Sequence, residues 1–152
     1  MAAARGLAVQ GDRAAPAVTE LAAALEDEDH LVRLEVARAL RAVAPHTRDA
    51  IPALVRALDD RFSDVRVECA YAIGAIGPDA KPAVPALTKL LSDRHARRAA
   101  AWSLGNIGPG ARDALVPLER ARDGESDAQV REELTWALER VRWREPARGG
   151  PE

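Results

Sequence analysis

The amino-acid sequence predicts an all-helical protein, a right-handed α-solenoid of stacked antiparallel helix pairs. Three observations predict it. First, the chain repeats itself. Leu58-Asp59-Asp60, Val65-Arg66, Ala70-Tyr71-Ala72-Ile73-Gly74 and Ile76-Gly77-Pro78 return as Leu91-Ser92-Asp93, Ala96-Arg97, Ala101-Trp102-Ser103-Leu104-Gly105 and Ile107-Gly108-Pro109. Units open at Val18, Ile51, Val84 and Leu115, in steps of 33, 33 and 31 residues. A period of that size marks a helical unit too small to bury its own apolar face, so neighbours must stack. Second, apolar residues within a unit recur at helical spacing. Third, 47% of the residues are hydrophobic but only 3% aromatic. The core is therefore built from Ala, Leu, Val and Ile, which suits closely packed helices.

The elements follow in order. Gly11, Ala14, Pro16, Ala17, Val18 and Leu21 match Gly77, Ala80, Pro82, Ala83, Val84 and Leu87 at a constant offset of 66. Residues 1–17 thus read as the second helix of a partial repeat, either an N-terminal cap or the edge of a fragment of a longer repeat array. Residues 18–50 form repeat 1, with Leu25-Glu26-Asp27, Val32-Arg33 and Leu40 in the shared frame. Repeat 2, residues 51–83, is the clearest. Ile51, Leu54, Val55 and Leu58 make a short amphipathic helix, with Pro52 in its first turn, where a missing amide donor does no harm. Asp59, Asp60, Ser63 and Asp64 make a polar turn. A second helix runs from about Val65 to Ile76 and stops at Gly77-Pro78, because Gly takes the left-handed C-terminal conformation and Pro cannot continue a helix. Residues 84–114 are repeat 3, and 115–142 are repeat 4. The charges of Glu132-Glu133, Glu139-Arg140 and Arg142 suit a terminal cap helix. Residues 143–152, rich in Gly and Pro, read as a disordered tail. Second helices are expected at about 31–44, 65–77, 96–108 and 129–143.

An Asp-bearing turn, Val-Arg opening the second helix, and Ala-Ile-Gly-x-Ile-Gly-Pro closing it resemble HEAT repeats. The pattern is most similar to the short bacterial type named after the phycobilisome lyases, over about residues 4 to 142. The resemblance implies a curved solenoid with second helices lining its concave face. It also implies an Asp–Arg ladder along the stack, here Asp27, Asp60 and Asp93 with Arg33, Arg66, Arg97 and Arg131. The fourth unit departs from the pattern at Asp123-Gly124-Glu125.

Composition narrows the function. Twenty-two basic residues face 24 acidic ones, for a net charge of -2. That balance argues against a nucleic-acid binder, whose phosphate contacts need a basic excess. No apolar run reaches the ~18 residues a membrane span needs. The N-terminus lacks the order of a signal peptide, so a cytoplasmic protein is expected.

Chemistry finds little support. The resemblance extends to di-iron hydroxylases that ligate metal through His-Glu pairs, but His30, His46 and His95 precede Leu31, Thr47 and Ala96. His30 follows Glu26-Asp27-Glu28-Asp29, which are ligand types, yet charge runs are usually solvated turns. Gly105-Asn106-Ile107-Gly108-Pro109-Gly110 ends a helix, whereas phosphate loops precede one. Cys69 falls on the apolar side, and no serine sits in a nucleophile-elbow sequence. No catalytic residue, metal site or cofactor is expected.

A column is the stronger signal. Arg38, Tyr71, Trp102 and Trp136 occupy one equivalent position of four successive second helices. The core register is already filled by Leu40, Ile73, Leu104 and Leu138, so the column should face the groove and stay partly accessible. Aromatics and Arg are enriched at interface hot spots. Flanking positions add Glu68, Arg98, Asn106, Glu133 and Arg140. The sequence thus predicts a non-catalytic scaffold holding a protein or peptide in its concave groove. The alternative, carried by the resemblance, is a bilin-lyase-like or chaperone-like protein contacting a tetrapyrrole or its acceptor.

Overall fold

The computed structural model describes residues 14–44 and 46–143. The partial repeat expected before Ala14 and the tail beyond Trp143 lie outside the described residues. Among the described residues there are eight α-helices and no strand: α1 (Ala14–Ala24), α2 (His30–Val43), α3 (Ile51–Ala57), α4 (Ser63–Ile76), α5 (Val84–Leu90), α6 (Arg97–Ile107), α7 (Leu115–Asp123) and α8 (Ala128–Arg142). They form four helix pairs, α1–α2 to α7–α8, stacked in chain order, and successive second helices pack directly on one another. The expected second helices agree with the observed ones to within two residues at either end.

Leu40, Ile73, Leu104 and Leu138, the expected core register, are all buried. Leu54, Leu87 and Leu118 meet them from the first helices and are also fully buried. Removing such a leucine costs ~2–5 kcal/mol, from lost transfer energy and the cavity left behind. Ala37, Ala70 and Ala101 are buried too, which leaves room for the next second helix. Their counterpart Thr135 is exposed, on the last described helix. Ser103 adds a buried polar tie, its hydroxyl lying 2.6 Å from the Ala70 carbonyl oxygen and 2.8 Å from that of Ala99.

The helix stops differ from the expected form. Gly77 and Gly108 have positive φ, +79° and +70°, but ψ near -140°. That is not the left-handed helical region but a more extended one open almost solely to glycine. It turns the chain straight into 3₁₀ segments, residues 77–83 and 108–114, which lead into α5 and α7.

The turns carry the ladder. In every unit one turn carboxylate accepts the amide two residues on: Asp27 from Asp29, Asp60 from Phe62, Asp93 from His95, Glu125 from Asp127. Six residues after a turn residue, an arginine donates back to that residue's carbonyl: Arg33 to Asp27, Arg66 to Asp60, Arg97 to Leu91 and Arg131 to Glu125. The first three arginines also reach the next unit's acid. Arg33 grips Asp60 with Nε at 2.6 Å and Nη2 at 3.1 Å. Arg66 Nε lies 2.7 Å from Asp93, and Arg97 Nη1 lies 2.7 Å from Glu125. The fourth acid is therefore Glu125, and among the described residues Asp27 contributes its carbonyl, not its carboxylate, to an arginine.

These contacts bias the charges. Burial alone would raise the Asp60 carboxyl, but the hydrogen bonds from Arg33 and the Phe62 amide outweigh it and hold it below its usual range. Asp93 is likewise lowered, its burial outweighed by the His95 amide and Arg66. The Asp60 hydrogen bond raises Arg33 further despite partial burial.

Candidate binding face of the second helices

The second helices present one row of side chains at the predicted column. Arg38 is exposed, while Tyr71, Trp102 and Trp136 are half-buried. The rings are seated on backbone as well as facing outward. A Cβ placed on Gly74 would lie 2.6 Å from Trp102 Cζ3, and one on Gly105 would lie 2.3 Å from Trp136 Cζ3. Each indole therefore rests on a glycine of the preceding second helix, where any side chain would collide. Tyr71 meets Trp102 edge to face, with centroids 5.4 Å apart. The column is thus part satellite core and part surface, and its ring positions are tightly determined.

The flanking polar residues fall into two groups. At the junction of α2 and α4, Arg41 Nη1 donates to Glu68 at 2.9 Å, and its guanidinium lies over the Tyr71 ring at 5.4 Å. Arg38 approaches Glu68 at 3.9 Å and bonds Glu35 at 2.6 Å. At the junction of α6 and α8, a hollow of about 500 Å³ is lined by Arg98, Trp102, Gln129, Glu132, Glu133 and Trp136. Here Arg98 Nε stands 3.7 Å from Glu133, too far for a hydrogen bond. Glu132 is exposed, with no hydrogen bond or ion pair among the described residues. Asn106 spends its amide on the Trp102 carbonyl at 2.8 Å, and Arg140 is exposed. The repeat equivalents of these flanking residues are not all outward: Leu34, at the register of Arg98, and Ala99, at the register of Glu68 and Glu133, are buried.

Sequence reasoning missed Arg41, Gln129 and the two ring seats. A signal for the seats existed, since Gly74 and Gly105 interrupt helices at one register, where glycine costs ~1 kcal/mol against alanine and calls for a packing reason.

Other groups are occupied structurally. His30 stacks on Phe62 at 3.9 Å between centroids. Cys69 is fully buried, and burial pushes its thiol up to about 12. Among the described residues no three His, Cys, Asp or Glu side chains converge on a common point, and no helix is long and apolar enough to cross a membrane.

Stacked helix pairs, second helices that pack in one continuous layer and a turn ladder define an α-solenoid of the repeat class. The chain belongs to the HEAT repeats family, whose model matches residues 1–67 and 51–139. No curated protein matches it. Among solved structures, it is similar to an engineered protein at 29% identity and TM-score 0.68, covering 91% of this chain and 71% of that one. The complex of CpcE and CpcF of phycocyanin lyase from a Nostoc species is similar at 26% identity and TM-score 0.76, covering 92% of this chain and 58% of that one. A designed armadillo repeat protein in complex with the peptide (KR)4 is similar at 25% identity and TM-score 0.69, covering 90% and 72%.

Proposed function

We propose that this chain is a non-catalytic binding module that holds a protein or peptide segment along its second-helix face. The observation that carries this reading is the hollow between Trp102 and Trp136. Two rings held on glycine seats leave part of their surface to solvent, beside an exposed carboxylate with no partner among the described residues. Rigid, half-exposed aromatics bordered by charge are the chemistry of interface hot spots. Arg38, Glu68, Tyr71, Asn106 and Arg140 extend the same face along the stack. The peptide-bound armadillo design supports the reading, since a solenoid of similar shape is found in complex with a peptide.

The test is selection of peptides from a displayed random library against the folded chain. Selected peptides should lose at least about tenfold in affinity on Trp102→Leu, the scale of a hot-spot truncation. Binders unaffected by both Trp102→Leu and Trp136→Leu, with circular dichroism unchanged, would remove the column from the binding surface.

A second reading is favoured by the likeness to the phycocyanin lyase complex. In it the same rings contact a tetrapyrrole chromophore or its acceptor protein. An open-chain tetrapyrrole should then show a visible-band shift with the wild-type chain that Trp102→Leu abolishes. An unshifted spectrum at saturating protein would end this reading.

A further inference from the structure

The two ends of the second-helix face carry the same motif, filled at one end and open at the other. At the first junction, Glu68 and Tyr71 stand three residues apart on α4. A guanidinium from the preceding helix, Arg41, hydrogen-bonds the carboxylate at 2.9 Å and lies over the ring at 5.4 Å. At the third junction, Glu133 and Trp136 stand three residues apart on α8 at the equivalent register. The position matching Arg41 is Gly105, which brings no side chain and on which the Trp136 ring itself rests. The Glu–aromatic pair is therefore repeated, its arginine is missing, and the hollow opens beside it.

The charges around the hollow point the same way. Its lining carries Glu132 and Glu133 against a single Arg98, which reaches only to 3.7 Å of Glu133. Two indole rings border it, and indole is the strongest cation-π acceptor among the side chains. A planar guanidinium suits this setting better than an ammonium, because it stacks on a ring while its forked donors meet a carboxylate.

We propose that the Trp102–Trp136 hollow is an arginine-binding subsite, taking a guanidinium from a bound peptide as Arg41 is taken by Glu68 and Tyr71 within the chain. This rests on the peptide-binding reading above and assigns a side-chain preference to its C-terminal end.

The test uses four capped eight-residue peptides, alternating glycine with arginine, lysine, citrulline or glutamate, titrated calorimetrically against the full chain. The arginine peptide should bind tightest. Citrulline keeps the planar shape but loses the charge, and its peptide should bind at least about tenfold more weakly. The lysine peptide should fall between them, and the glutamate peptide should be weakest. Glu132→Gln with Glu133→Gln should cost the arginine peptide about tenfold or more. Glu28→Gln with Asp113→Asn, two acids away from the hollow, should leave its affinity within about twofold. Citrulline or glutamate peptides binding as well as the arginine peptide would overturn the assignment. So would equal losses from the two double variants, which would mean diffuse attraction to a net negative chain. Failure of all four peptides to bind also overturns it, whereas the groove reading stands or falls separately on library-selected peptides and Trp102→Leu.

Discussion

Gly105→Ala isolates the feature on which the candidate site is built. Alanine is the better helix former, and within α6 the exchange gains ~1 kcal/mol of propensity. The added Cβ, however, would stand 2.3 Å from Trp136 Cζ3 and 2.9 Å from both Cε3 and Cη2. Carbon atoms at rest sit ~3.5–4.0 Å apart, so the rigid ring must move by about an ångström. The seat is helix backbone and cannot yield, so the indole swings outward and loses contact with the core. Overpacking of this kind costs ~1–3 kcal/mol. The collision outweighs the propensity gain, and the net expectation is a destabilisation of about 1 kcal/mol, up to ~2. The sign should reverse when the ring is removed. In a Trp136→Ala background, Gly105→Ala meets open space and should stabilise by ~0.5–1 kcal/mol. The cycle is read by urea denaturation followed at 222 nm, and the difference between backgrounds gives the coupling directly. A Gly105→Ala that stabilises the otherwise wild-type chain would show that the ring does not rest on this glycine.

Further outcomes follow from the ladder and the core. Arg66→Ala removes a hydrogen-bonded ion pair with Asp93 and a hydrogen bond to the Asp60 carbonyl. It should cost ~1–3 kcal/mol in denaturant melts, with Arg66→Lys recovering only part, because an ammonium lacks the fork; unchanged midpoints would refute a structural role. Asp60 and Asp93 have carboxyls lowered from an ordinary value of 3.8, so they contribute stability above that pH and lose it as pH falls through the lower folded values. An acid titration should show the loss below about pH 4, with a shallower slope for Asp93→Asn, and an equal slope in both proteins would contradict the linkage. The Cys69 thiol, buried and pushed up to about 12, should resist a disulfide reagent at pH 8 in the folded chain and react once urea unfolds it; rapid native labelling would mean the second helices open locally.

The repeat, the helix pairs and the core register were legible in the sequence because they follow from local rules. Apolar residues at helical spacing select one face, and the glycine-proline stops end each second helix wherever they occur. Leu40, Ile73, Leu104 and Leu138 could be assigned to the core from periodicity alone, since the same register recurs in every unit. What periodicity does not carry is the relation between one unit and the next. That arginines reach forward, so that Arg33 meets the carboxylate of Asp60 and only the carbonyl of Asp27, depends on how far one turn is displaced from another in the stack. Glu125 could take the fourth ladder position only because the packed turn brings its longer side chain to Arg97. The column shows the division most clearly. Its alignment is visible in the sequence, but its half-buried state is set by contacts across helices: Trp102 and Trp136 settle on Gly74 and Gly105, while Arg41 covers Tyr71. A register says which residues share a row. Only the packed structure decides how much of each side chain the neighbouring helix hides, because that depends on the one residue opposite it.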